Sequence, residues 1–492
     1  MIDLTVHPQQ LERAVQRARE NRIVIPTFAQ MRDPALIPEA IKKQLRHVGL
    51  WDVNPLNLFR ISWHNEPTMS GGAYGPVNFI ELPSVLTGVK ARIIVLCGKW
   101  FPTGCHKVGA SFGCLAPRLV TGQFDPTYNK AVWPSTGNYC RGGAYNSKLL
   151  GCESVAILPA EMSKERFDWL SKIAGEVIAT PGCESNVKEI FDKTWELRRT
   201  RKDVVIFNQF EEMGNVLWHY QVTGKAIADA YESLKTDTTR FAGACFTSGS
   251  AGTMSAGDYL KEQYPHAKLA VGEALQCPTL LENGFGGHRI EGIGDKHVPW
   301  VHNVKNTDMV IDIDDEDSQN LLRLFNTEDG HRYLTEIVGV PKETVDQLSL
   351  LGISGIANVL CCIKFAKYYE LTENDVVATV GTDSAEMYTS RIAELNEQQG
   401  VYDMLTAARD YSEHLHGIRT DNMEELTYAA RKRVHNLKYY TWVEQQGRTV
   451  EELNAQWYDE TYWTSIHDQA KDLDALINAF NEKTGVLADM EK

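Results

Sequence analysis

What most constrains the fold of this 492-residue chain is an alternation of two hydrophobic patterns along most of its length. Short apolar runs at 91–96, 131–132, 155–158, 176–179, 204–207, 243–247, 268–271 and 376–380 are separated by stretches of helical periodicity, among them 164–173, 187–199, 217–234 and 255–263. A short apolar run without polar alternation reads as a strand buried on both faces, and parallel strands of that kind need crossover helices between them. The alternation therefore predicts a parallel α/β architecture. Ligands of such folds sit beyond the carboxyl ends of the strands, so the loops after the strands are where chemistry is to be sought. Amphipathic patterns at 10–22 and 34–48, then a Pro/Gly-rich passage at 49–90, precede the first run. After Arg391 the chain turns rich in Glu, Gln, Tyr and Trp without β-branched runs, which predicts a helical C-terminal extension.

Composition narrows the function classes. A formal net charge of -15 argues against nucleic acid or an anionic membrane as partner, since either needs a large electropositive face. No apolar run reaches the roughly 18 residues of a spanning helix. The start, MIDLTVHPQQ, lacks the basic and apolar segments of a signal peptide, so a cytoplasmic protein is expected. Ten cysteines without CxxC pairs or zinc-type spacing read as reduced, buried thiols, and no metal site is expected.

Four glycine-bearing loops each follow a strand pattern and precede a helical one. In Pro102-Thr103-Gly104-Cys105-His106-Lys107 a turn delivers one lysine to a helix start, where the positive dipole end and desolvation disfavour its ammonium form and favour a nucleophilic amine. In Ser135-Thr136-Gly137-Asn138 amides and hydroxyls at a helix start suit a carboxylate, and Asn138 suits a phenolic oxygen. The run Gly249-Ser250-Ala251-Gly252-Thr253 has neither a Walker lysine nor dinucleotide spacing, so its small residues suit a monophosphate. Ser384, in Gly381-Thr382-Asp383-Ser384, places a neutral hydroxyl where a pyridine nitrogen can meet it. An imine-forming lysine, a carboxylate loop, a monophosphate cradle and a neutral ring-nitrogen partner converge on one cofactor, pyridoxal 5'-phosphate.

With these residues the chain resembles, over roughly residues 70–391, the tryptophan synthase beta/cysteine synthase family of fold type II pyridoxal-phosphate enzymes. The lysine segment is similar to that family's P-T-G-S-x-K, residues 135–138 to its carboxylate loop, 249–253 to G-T-G-G-T, 287–294 to P-H-K-I-Q-G-I-G, and 383–388 to D-S-G-E-R-Y. His106 before the lysine is as in the tryptophan synthase beta subunit, where that histidine lies near the phosphate. Val108-Gly109 and Tyr139-Cys140 depart from the usual patterns, and the glutamate associated with indole chemistry is not recognisable.

The resemblance implies a large cofactor-binding unit of residues 1–112 and 217–391, a small mobile substrate unit of 113–216, the extension 392–492, and a homodimer. It also implies cofactor contacts from Lys107, His106, Asn138, Gly249, Ser250, Ala251, Gly252, Thr253 and Ser384. Substrate contacts fall to Ser135, Thr136, Gly137 and Asn138. Lys107 forms the imine and then serves as base in β-elimination or β-replacement on a serine, cysteine or threonine type amino acid, through an aminoacrylate. The alternative is a non-catalytic binding or regulatory module on the same fold.

Overall fold

The computed structural model describes residues 1–135, 137–183 and 186–492. The apolar runs become strands because they are too short and too β-branched to fill a helix. In chain order the strands are β1 (Phe79–Leu82), β2 (Arg92–Cys97), β3 (Lys130–Pro134), β4 (Glu153–Pro159), β5 (Glu176–Thr180), β6 (Val204–Ile206), β7 (Arg240–Thr247), β8 (Lys268–Ala274), β9 (Met309–Ile313), β10 (Asp375–Gly381) and β11 (Met423–Glu425).

They form two sheets. The smaller has the order β5-β4-β3-β6 and is parallel throughout. The larger runs β1-β2-β10-β7-β8-β9-β11, parallel in its centre, with β1 antiparallel to β2 and β11 antiparallel to β9 at the two edges. Every residue of β10 is buried, and Ile353–Tyr368, a helix apolar almost all round, packs on that strand and on β7. All eight expected strands are present. The three unforeseen ones lack a plain apolar run: β1 and β11 are short edge strands, and β9 is interrupted by the buried acid Asp312.

The extension is mainly helical, its longest element being Tyr462–Thr484. That helix lies against Pro8–Glu20 and Lys107–Thr121, and the Asp474 carboxylate accepts the amides of Phe28 and Ala29 at 2.6 and 3.1 Å, which starts the helix Phe28–Arg32. Nine of the ten cysteines are buried, Cys183 is half-buried, and all are unbridged. No helix among the described residues is long and apolar enough to cross a membrane.

Candidate active site

The four loops meet. After β2 the backbone makes two tight turns, with Thr103 and Gly104 at φ 70° and 68°, and Lys107 opens the helix Lys107–Thr121. Its Nζ donates to Ser250 Oγ at 3.4 Å, in the loop after β7. Ser250 Oγ also accepts from Asn215 Nδ2 at 3.1 Å.

The Ser250 loop fits a phosphate on its own evidence. Among the described residues the backbone N–H groups of 249–253 have no acceptor, although all of these residues but Gly249 are buried. Orphaned buried amides are rare unless something outside the chain satisfies them. Here they run into the start of the helix Met254–Gln263, whose dipole adds to the attraction for an anion. Gly252 is required by close approach, because a Cβ there would lie 2.1 Å from Asn215 Oδ1. Ala251, at φ 60°, takes a backbone shape unusual for a residue with a side chain.

Ser384 follows β10, and its buried hydroxyl has no hydrogen-bond partner among the described residues. In the neighbouring carboxylate, Asp383 Oδ2 accepts from Asn138 Nδ2 at 2.7 Å and from Tyr388 OH at 2.8 Å, while its buried Oδ1 has no hydrogen-bond partner among the described residues. Burial pushes the Asp383 carboxyl above its ordinary range, while Arg166, Asn138, Tyr388 and Arg141 pull it back. Asn138 begins the helix Asn138–Leu149 after β3. Ser135 Oγ accepts from the Gly137 amide at 3.1 Å and from Gln209 Nε2 at 3.3 Å. Gly137 sits at φ 152° against Arg166, where a Cβ would come within 2.8 Å of the side chain. Thr136 lies outside the described residues. The orphaned Ser384 hydroxyl and the acceptor-free phosphate loop, with Lys107 beside it, fit pyridoxal phosphate.

His106 is wholly buried, stacked on Trp63 at 5.5 Å and edge-on to His219 at 5.2 Å. Both of its ring nitrogens lack partners among the described residues, and burial with Lys107 next door holds the imidazole neutral.

Several residues that sequence reasoning did not single out complete the site. Gln209 and Asn215, in the segment after β6, brace Ser135 and Ser250. Arg166 bonds Glu291, and its Nη2 donates to Tyr388 OH at 3.1 Å, while Arg391 Nε donates to the other oxygen of Glu291 at 2.6 Å. Asp383, Tyr388 and Glu291 stood within recognisable motifs. Arg166 lies in an ordinary amphipathic helix, Lys164–Ile173, and carries no local signal.

A family model described as pyridoxal-phosphate dependent enzyme matches residues 72–333, more than half of the chain. The probable cysteine synthase of Bacillus subtilis is 28% identical over 290 residues, covering 59% of this chain and 85% of that protein. Cystathionine beta-synthase of Saccharomyces cerevisiae is 27% identical over 369 residues, covering 72% of this chain and 68% of its own length. Among solved structures, a hydrogen sulfide-producing enzyme from Fusobacterium nucleatum superposes with a TM-score of 0.54 at 23% identity, covering 71% of this chain and 95% of that one. That likeness confirms the fold, and the family match settles membership: this chain belongs to the pyridoxal-phosphate-dependent enzymes.

Proposed function

We propose that the protein catalyses β-elimination or β-replacement on a small amino acid of the serine, cysteine or threonine type. The observation that carries this is the position of Lys107 Nζ, 3.4 Å from Ser250 Oγ at the edge of five acceptor-free amides. A phosphate held there would bring the cofactor within reach of the lysine. The names of the curated relatives, cysteine synthase and cystathionine beta-synthase, support the same class of reaction.

Bound pyridoxal phosphate supplies an electron sink for the pair of the Cα–H bond. The chain supplies the rest. Residues 249–253 would hold the phosphate, the Ser384 hydroxyl would face the ring nitrogen as a neutral partner, and Asn138 has a second amide hydrogen that would serve the phenolic oxygen. The Ser135–Asn138 loop, braced by Gln209, binds and orients the substrate carboxylate. Lys107 Nζ takes the α-proton and returns one later. A hydroxyl at that place, and not an acid, would stabilise charge on a bound ring less than a carboxylate would, which fits a reaction that loses a β-substituent.

In this reading residues 113–216 form the small mobile unit, which contains all of the four-stranded sheet, and 1–112 with 217–391 form the large one. The enzyme works in the cytoplasm as a homodimer. The test is incubation of the holoenzyme with serine, threonine, cysteine and O-acetylserine, with and without sulfide. Release of pyruvate or 2-oxobutyrate with ammonia, or formation of a β-substituted product, is expected. No turnover of any of them, with Lys107→Ala indistinguishable from the wild type, would favour the non-catalytic module.

A further inference from the structure

A cavity of about 860 Å³ lies behind the site, not in it. Its walls come from the middle of the helix Lys107–Thr121 (Cys114, Arg118), the segment after β6 (Glu211 to Gly214) and the C-terminal extension (Arg448, Glu452). The extension lies outside residues 72–333, which the family model matches.

One segment has a face on each side. Gln209 Nε2 donates to Ser135 Oγ, and Asn215 Nδ2 donates to Gln209 O at 3.0 Å and to Ser250 Oγ at 3.1 Å, so both ends of the segment hold the active site. Of the five residues between them all but Phe210, namely Glu211, Glu212, Met213 and Gly214, line the cavity. A second connection runs through Tyr139, which follows Asn138. Its buried hydroxyl has no nitrogen or oxygen partner among the described residues, and its phenol feels Cys114, Glu212 and Arg118 of the cavity wall.

The charges of the wall select the ligand. Arg118 pairs with Glu212 at 2.5 Å, and Arg448 pairs with Glu211 at 3.0 Å and Glu452 at 3.2 Å. Met1, Asp3, Arg198 and Asp459 line the remainder of the cavity, but between Arg118, Glu211, Glu212, Arg448 and Glu452 every charge is paired, so a bare anion or cation entering there would split a pair and leave one member uncompensated in a half-buried place, which is costly. A zwitterion avoids that, since its carboxylate goes to a guanidinium and its ammonium to the freed glutamate. Ile206, Met213 and Trp300 offer apolar wall for a side chain. We propose that this cavity binds a free amino acid with an apolar side chain as an effector, and that occupancy acts on Ser135 and Ser250 through residues 208–215.

Calorimetric titration of the holoenzyme with leucine, methionine, valine and phenylalanine tests this without relying on turnover. At least one is expected to bind, about tenfold or more weaker in Glu452→Gln, and not detectably in Ala455→Phe, which fills the cavity. Glu452→Gln keeps an acceptor for the Thr449 amide and so preserves the helix start. Circular dichroism of both variants checks folding. The bound amino acid is also expected to shift the apparent KM of the catalysed substrate, which reads the coupling of the cavity to Ser135 and Ser250. The proposal is overturned if none binds, if binding is unchanged in both variants, if sulfate or putrescine binds in place of the amino acids, or if binding leaves KM unmoved.

Discussion

Gly252→Ala perturbs the phosphate cradle without touching a proposed ligand atom. The new methyl would sit 2.1 Å from Asn215 Oδ1 and 2.7 Å from its Nδ2, far inside contact distance. Asn215 has to swing away, and in doing so it gives up its bonds to Gln209 O and Ser250 Oγ, at 3.0 and 3.1 Å. Each such bond is worth about 0.5–1.5 kcal/mol, so the loop loses about 1–3 kcal/mol of preorganisation, or about 5- to 150-fold in cofactor affinity. Gly249→Ala is the internal control. Its methyl meets only Gly292 O at 3.1 Å, a contact relieved by a shift of a few tenths of an ångström, so a loss of under about fivefold is expected. Titrating apoprotein with pyridoxal phosphate and following its absorbance gives both affinities. Equal losses, or a greater loss for Gly249→Ala, would refute the view that Asn215 holds the phosphate loop in shape.

Further outcomes follow from other contacts. Asp383→Ala removes the acceptor that fixes Asn138 and Tyr388, and is expected to lower kcat/KM by about 1–3 kcal/mol, or roughly 5- to 150-fold, with Tyr388→Phe milder because Asn138 keeps its partner. Lys438, wholly buried, donates to Trp300 O, His302 O and Gln456 Oε1 at 3.0, 2.7 and 2.7 Å; in Lys438→Met the two carbonyls keep Gln456 Nε2 and Val304 N as donors but Gln456 Oε1 loses its own, which should cost about 1–3 kcal/mol in unfolding experiments. Burial raises Asp258 to about 7, above the ordinary value near 4, so the folded state binds its proton more tightly than the unfolded state does. Its contribution to stability is therefore present below about pH 4 and lost as the pH rises to about 7, and Asp258→Asn is expected to flatten the melting temperature over that interval. A melting profile that slopes equally in the variant would contradict this assignment.

Much of this arrangement was legible in the residues themselves. The parallel strands showed as apolar runs because both of their faces are buried, and the Lys107, Ser250 and Ser384 loops showed because small residues and a lone lysine after a strand have few other uses. What was not legible depends on contacts between distant segments. Arg166 reads as a surface cation of an amphipathic helix until the fold sets it against Gly137, Glu291 and Tyr388. Asp312 made β9 look polar; burial pushes its carboxyl and that of Glu273 on the adjacent strand up, Asp312 raising Glu273 further while a hydrogen bond with Glu273 and the charge of Lys364 pull Asp312 back. His106 was expected beside the phosphate on resemblance alone. In the structure its ring contacts are Trp63 and His219, partners that lie 43 and 113 positions away and that no local pattern connects.

The central claim is that Lys107 is the residue that binds the cofactor covalently. Borohydride reduction of the cofactor-loaded protein, followed by peptide mass spectrometry, tests it most directly. A phosphopyridoxyl adduct on Lys107, absent from Lys107→Ala, is the expected result. An adduct on another lysine, or none on Lys107, would contradict the account.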